Sequence, residues 1–151
     1  MLVGVISDTH GLLRPEALAA LHGSEYIIHA GDVGKIEILD QLRAIAPVTA
    51  VRGNVDHGAW ADLLPETEVV ELASVSIYVL HDLHQLDLDP SAAGFTAVIS
   101  GHTHQPRSEL KKGVLYLNPG SAGPRRFHLP ISLGLLRIEN RSLSAEIIAI
   151  G

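Results

Sequence analysis

Leu2 to Ile6 is an uninterrupted apolar run closed by Ser7-Asp8, and such a run predicts a strand covered on both faces. Pro15 to Leu21 reads as a short helix with proline at an early position and Gly23 near its end. Tyr26 to Ala30 is a second strand, ending at Gly31-Asp32. Lys35 to Ile45 has helical spacing through Ile36, Leu39 and Leu42, with Pro47 as its stop, and Val48 to Val51 makes a third strand that ends at Gly53-Asn54.

The rhythm then changes. Val69 to Leu72 and Val75 to Leu80 read as antiparallel strands around Ala73-Ser74, the second delivering His81 at its end. Phe95 to Ile99 is a further apolar strand, followed by Gly101-His102-Thr103-His104. Ser108 to Leu110 should pair with Val114 to Leu117 around Lys111-Lys112-Gly113, and Ile131 to Ile138 with Ser142 to Ile150 around Asn140-Arg141. This mixture of parallel and antiparallel pairing predicts an α/β fold of two packed mixed β-sheets flanked by helices. There is no internal repeat, low-complexity tract or linker, so residues 1–151 read as one domain, long enough at 46% hydrophobic content for one sizeable core.

Charge and composition narrow the class. A formal net charge of −6 argues against a nucleic-acid surface, which needs a basic stripe; Lys111-Lys112 and Arg125-Arg126 are the only adjacent basic pairs. The absence of cysteine excludes disulfides and thiolate ligands. No apolar stretch approaches the roughly 20 residues needed to span a bilayer. With no basic segment ahead of the first strand, a cytoplasmic protein is expected.

Five short phrases each follow an apolar run: Asp8-Thr9-His10, Gly31-Asp32, Gly53-Asn54, His81 and Gly101-His102-Thr103-His104. In open α/β sheets ligands bind beyond the carboxyl ends of strands, where residues distant in sequence converge. Two Asp, one Asn and four His are oxygen and nitrogen donors, too many for one ion and suited to two. Glycine ahead of Asp32, Asn54 and His102 lets the chain turn sharply and approach an ion closely. Alone, Asp8 reads as a turn or cap residue and Asn54 as a turn residue; structural placement gives no reason for all seven at successive strand ends.

In their order these phrases resemble the calcineurin-like metallophosphoesterases, from Asp8 through Ser121, and most of all the small single-domain branch of bacteria and archaea. The resemblance implies a four-layer sandwich and a phosphodiesterase. It also implies that Asp8, His10, Asp32 and His104 hold one metal and Asp32, Asn54, His81 and His102 the other, with Asp32 as the bridge. A shared carboxylate makes physical sense between two cations about 3.5–4 Å apart. The donors suit Mn, Fe, Zn, Ni or Co, with Mn the expected occupant. Two divalent ions, two Asp and a bridging hydroxide leave a centre of about +1, matched to an anionic phosphoester that the hydroxide attacks in line. Small members of the branch often form dimers or higher assemblies, so a homo-oligomer is expected.

The remaining candidates lie around that set. Asp32 and Asn54 would also serve catalysis. Where many relatives carry His directly after Gly-Asn as a proton donor, this chain has Val55; Asp56 keeps the acidic end of the phrase, with an expected role in orienting a nearby His. His57 reads as a solvated loop residue, with a substrate-facing role as the alternative. His29 is expected to be buried or behind the ligands, His22 and His84 lie at the surface, and His128 stays open. Asn118-Pro119-Gly120-Ser121 matches a further family phrase, read first as a Pro-Gly turn with solvated arginines; in the alternative Asn118 orients a ligand and Arg125 or Arg126 meets a substrate phosphate. Ser121 lacks the G-x-S-x-G elbow of a nucleophile. Asp82 stands where the family commonly has Gly, which bears on the backbone beside His81.

Three functions follow. The favoured one is a phosphodiesterase acting on a small phosphodiester. A non-catalytic scaffold of the same fold, like the subunit of the retromer complex, is the alternative. A nucleotide-binding α/β protein has only fold-level analogy, since neither G-x-G-x-x-G nor the Walker phrase occurs.

Overall fold

The alternation along β1 (Leu2–Ile6) sets the order of the layers. Val3 and Val5 enter a core shared with the second sheet, while Ile6 enters a separate core under the helices. The computed structural model describes residues 1–151. After β1 come α1 (Pro15–Leu21), β2 (Tyr26–His29), α2 (Ile36–Arg43), β3 (Val48–Ala50) and α3 (Ala59–Asp62). The second half contributes β4 (Thr67–Leu72), β5 (Val75–Leu80), a 3₁₀ turn (Leu83–Gln85), β6 (Ala97–Ile99), β7 (Arg107–Lys111), β8 (Val114–Asn118), β9 (Ser132–Glu139) and β10 (Ser142–Ala149).

One sheet has the order β10-β9-β1-β2-β3, with β1, β2 and β3 parallel and β9 and β10 antiparallel. The other has the order β4-β5-β6-β8-β7, in which β5, β6 and β8 are parallel and the edge strands β4 and β7 antiparallel. Both sheets are therefore mixed, as the pattern predicts. Val3, Val5, Ile28 and Leu136 of the first meet Ile77, Val79, Ile99 and Leu117 of the second, all essentially without solvent exposure.

Helices cover only one outer face. Ala17 and Leu21 of α1 and Ile38, Leu39 and Leu42 of α2 pack on Ile6, Ile27 and Leu133. Ile36, expected in that apolar stripe, lies at the helix start and is exposed, and Ile38 takes the buried place. The outer face of the second sheet, formed by Tyr78, Leu80, Val98 and Val114, is covered by Leu86, Leu88 and Phe95 from the largely irregular segment after β5. No helix is long and apolar enough to cross a membrane.

Candidate metal centre

Parallel pairing places the carboxyl ends of β1, β2 and β3 at one end of the first sheet, and those of β5, β6 and β8 at one end of the second. The loops leaving these ends meet. Asp8, His10, Asp32, His81 and His104 come together, with Asp8–His10–His104 and Asp8–Asp32–His81 each forming a set of ligand atoms within 4.8 Å of one another. Asp8 Oδ1 lies 3.4 Å from His104 Nε2, 3.8 Å from His10 Nε2 and 3.9 Å from His81 Nε2. Asp32 Oδ2 lies 3.1 Å from His81 Nε2 and 3.7 Å from His10 Nε2. Asn54 and His102 form an outer pair, Asn54 Oδ1 to His102 Nδ1 at 3.2 Å, and the His102 ring stands edge-on to that of His81 with centroids 5.2 Å apart.

Close backbone approach makes this convergence possible. A Cβ on Gly53 would overlap the amide and carboxylate of Asp32, and one on Gly101 would overlap Ser7 Oγ and fall 2.6 Å from Asp8 Oδ2. Five of the seven candidate ligands, Asp8, His10, Asp32, His102 and His104, have φ between 47° and 73°. That left-handed conformation is uncommon in residues other than glycine and marks backbone held in place by its surroundings.

The carboxylates are anchored through one oxygen each. Asp8 Oδ2 accepts from Ser7 Oγ at 2.6 Å and from the His102 amide at 3.0 Å; Asp32 Oδ1 accepts from the Val55 amide at 3.0 Å. Burial works to raise the Asp8 carboxyl, but the neighbouring His10, His104 and His81 rings and the Ser7 hydroxyl outweigh it and hold the group well below the usual carboxylate range. Asp32 is also lowered: burial opposes ionisation there, and His81 and the Val55 amide overcome it. His10 is raised by the nearby Asp8 carboxylate, and His81, despite burial, by Asp32 and Asp8.

Asp8 Oδ1, His81 Nε2 and His104 Nδ1 are buried without a hydrogen-bond partner. Leaving the Asp8 oxygen and the His81 nitrogen unpaired is costly unless an ion completes them; His104 faces the cluster with its other nitrogen, Nε2, so its Nδ1 is not part of this set. His81 Nδ1 bonds the Ala30 carbonyl at 2.7 Å, so that nitrogen carries a proton and Nε2, which faces the two carboxylates, is the atom the neutral ring offers to a cation. The donor set fits divalent cations.

Other candidates fall outside this cluster. Asp56, expected to orient a histidine, instead accepts from the amides of Gly34 and Gly53, both at 2.9 Å, and Val33 at 3.2 Å. Its carboxylate clamps the loops bearing Asp32 and Asn54 because backbone donors converge on its buried position. His57 is exposed, and no hydrogen bond holds its ring. Arg125 bonds the Leu129 carbonyl at 3.2 Å, while Arg126 is exposed yet close enough for its charge to oppose protonation of His10. Asp82 has φ −111° and ψ 114°, ordinary extended backbone, so no glycine is required beside His81.

Several residues support the ligands from behind, among them Asn118 and Ser121 of the Asn118-Pro119-Gly120-Ser121 phrase, where the structure bears out the ligand-orienting alternative over the simple turn. Asn118 is buried rather than a simple turn residue: its Nδ2 donates to the Gly101 carbonyl at 2.9 Å and to Thr103 Oγ1 at 3.1 Å, steadying the His102–His104 loop. Ser121 Oγ donates to the Asp8 carbonyl at 2.9 Å, and Arg14 reaches Gly123 O at 3.3 Å, bracing the same turn. His29 is fully buried; its Nδ1 accepts from the Gly31 amide, so Nε2–H donates to Thr9 Oγ1, which in turn donates to the Val33 carbonyl. Burial pushes the His29 ring down to about 4. Its position next to Gly31-Asp32 was the only hint in the sequence.

Residues 1–141 match the model of the calcineurin-like phosphoesterase superfamily domain. The chain belongs to that superfamily. A probable metallophosphoesterase of Methanothermobacter thermautotrophicus is 39% identical over 163 aligned positions, which cover 100% of this chain and 94% of that protein. Among solved structures, wild-type Vps29 of Entamoeba histolytica complexed with zinc superposes with a TM-score of 0.76 at 27% identity, covering 100% of both chains. An archaeal protein described as a novel phosphodiesterase shares the fold, with a TM-score of 0.81 at 24% identity over 98% of this chain and 100% of that one. Membership makes the chain a metallophosphoesterase-type hydrolase in family, with a candidate metal-ligand cluster where the fold places its strand ends.

Proposed function

We propose that the protein is a binuclear metal-dependent phosphodiesterase. The carrying observation is the pair of buried, unpartnered donor atoms, Asp8 Oδ1 and His81 Nε2, that face each other from the ends of strands in the two sheets, with His104 Nε2 turned toward the same carboxylate. In this reading Asp8, His10, Asp32 and His104 hold one cation and Asp32, Asn54, His81 and His102 the other. Support for Asp32 as the shared ligand is the position of its Oδ2, facing His10 of the first set and His81 of the second. When bound, two divalent cations supply hydroxide near neutral pH and stabilise the charge that develops on phosphoryl oxygens.

The chain's own groups orient this chemistry. The Val55 amide holds Asp32, the Ala30 carbonyl sets the His81 tautomer, and Asn118 steadies the loop of His102 and His104. Arg126, whose charge opposes protonation of His10, is the candidate for a phosphate oxygen in this reading. The side chain of Val55 is exposed at the rim and has no proton to give. A diester carries one negative charge, matching a centre of about +1, and with an aryl leaving group it needs little help from a proton donor.

The test is kcat/KM for bis-p-nitrophenyl phosphate against p-nitrophenyl phosphate at matched metal occupancy. The wild type should prefer the diester, and Val55→His should raise the monoester relative to it. A wild-type preference for the monoester overturns the phosphodiesterase reading. Failure of the folded protein to bind metal in titration and elemental analysis transfers the chain to the scaffold class.

A further inference from the structure

A cavity of about 530 Å³ adjoins the outer half of the ligand cluster. Asn54, His81 and His102 form its inner wall, and the Nε2 of His81 is one of the buried atoms without a partner. Away from that wall the lining is acidic, with Glu66, Asp82 and Asp87 against a single cation, Arg52. That arginine is already engaged: its Nη2 lies 3.0 Å from Glu66 and its Nη1 3.7 Å from Asp62. Asp82 accepts from the His84 amide at 3.0 Å and faces no cation but the rings of His84 at 3.4 Å and His102 at 3.9 Å, and no Lys or Arg pairs with Asp82 or Asp87. A chamber beside a centre for phosphate anions is therefore itself negatively charged. Such a wall repels a second anionic group on the substrate and attracts a cationic one.

We propose that this cavity receives an alcohol group of the phosphodiester and selects cationic amino-alcohol substituents, of the ethanolamine and choline type, over neutral or anionic ones. The inference rests on the phosphodiesterase reading and adds the class of alcohol. Its physical basis is separation of charge: cations at the ligand cluster meet the phosphate, and the carboxylates of Asp87 and Asp82 meet the substituent. Substrates with further phosphates, such as nucleotides bearing a terminal phosphate, are disfavoured by the same wall.

Three esters with a common leaving group test it on the metal-loaded protein: p-nitrophenyl phosphorylcholine, ethyl p-nitrophenyl phosphate and 2-carboxyethyl p-nitrophenyl phosphate. The choline ester should exceed the ethyl ester about fivefold in kcat/KM, the scale of a solvent-exposed charge pair, and the carboxyethyl ester should fall below both. Asp87→Lys should bring the choline-to-ethyl ratio below one, while Glu37→Lys, the same charge change on α2, should leave it unchanged. Calorimetric titration with phosphocholine and with ethyl phosphate reads the preference without turnover. Turnover of all three esters at equal kcat/KM, or a ratio unmoved by Asp87→Lys, overturns the inference and leaves the phosphodiesterase reading standing. No turnover, but tighter binding of phosphocholine that Asp87→Lys abolishes, overturns the phosphodiesterase reading and keeps the cavity assignment. Neither turnover nor a binding preference overturns both.

Discussion

The two ends of the sandwich use the same unfavourable backbone conformation for opposite purposes. At the amino ends of β1, β5 and β8, the hairpin turns place Asn140, Arg141, Ala73, Ser74 and Lys112 at positive φ. At the carboxyl ends, Asp8, His10, Asp32, His102 and His104 adopt it as well. In the turns the conformation matches the twist of the paired strands, and glycine or asparagine would satisfy it better than alanine or serine. At the metal end a glycine would relieve the backbone and remove the donor atom. Strain of roughly 1–2 kcal/mol per left-handed residue is tolerated there because the surroundings hold each loop. Ser7, Asp56, Asn118 and Ser121 bind the loops, and they are anchored on buried Val, Ile and Leu side chains that each contribute roughly 1.5–3 kcal/mol.

Removing a donor should therefore be far more damaging than relaxing a turn. Asp32→Asn keeps the shape and deletes the charge facing both His10 and His81; we expect kcat/KM to fall by about a thousandfold, on the scale of several kcal/mol of lost charge stabilisation. Elemental analysis should show both cations weakened together, whereas His102→Ala should weaken mainly one. Equal loss in the two variants would contradict Asp32 as the shared ligand.

The next effect concerns the buried support behind the centre. Folded His29 stays neutral down to about 4, while the unfolded ring takes up a proton at its ordinary 6.5, so the unfolded chain binds more protons in that interval. Its contribution to stability is full above 6.5 and is lost as the pH falls toward 4, by about 3 kcal/mol. His10 and His81, both raised, act in the opposite sense: their contribution is present below 6.5 and lost as pH rises through their folded values. The difference between wild type and His29→Gln in urea unfolding of the metal-free protein isolates the first contribution, and the variant should show a flatter acid limb. Parallel curves would show that His29 is not held neutral.

Two smaller changes sharpen the contrast between the ends. Gly101→Ala places a methyl group against Ser7 and Asp8; about 1–3 kcal/mol of destabilisation and a loss of metal affinity are expected, read by urea unfolding and titration. At the other end Ser74→Gly should stabilise by about 0.5–1 kcal/mol, the relief of the left-handed strain less the greater chain entropy of glycine, with kcat/KM unchanged. A destabilised Ser74→Gly would mean that the turn is not strained.

Periodicity and proline and glycine punctuation were enough to locate β1, α1 and β5 at their observed bounds, because each has a continuous or helically spaced apolar run with a clear stop. The short helix α3 and the 3₁₀ turn after β5 were not legible. Four- and three-residue turns have no period to detect, and the covering role of Leu86, Leu88 and Phe95 exists only against the sheet beneath them. The donors were legible as types because Asp, Asn and His rarely recur at successive strand ends without a ligand to hold. Their grouping was legible only through the family resemblance, not from the residues: burial and packing bring Asp8 against both His104 and His81, and leave Asn54 and His102 as an outer pair.

The linear chain thus determined which strands end in ligand-type residues, that the sheets are mixed, and that no cysteine takes part. Only the tertiary structure decided that Asp56 serves three amides instead of a histidine, that Asp82 needs no glycine geometry, and that an acidic cavity opens beside the cluster. Hydrophobic period acts along one strand and can be counted. Hydrogen-bond partners and the sign of charge in a cavity depend on atoms delivered from different sheets, whose separation is set by how the two layers pack.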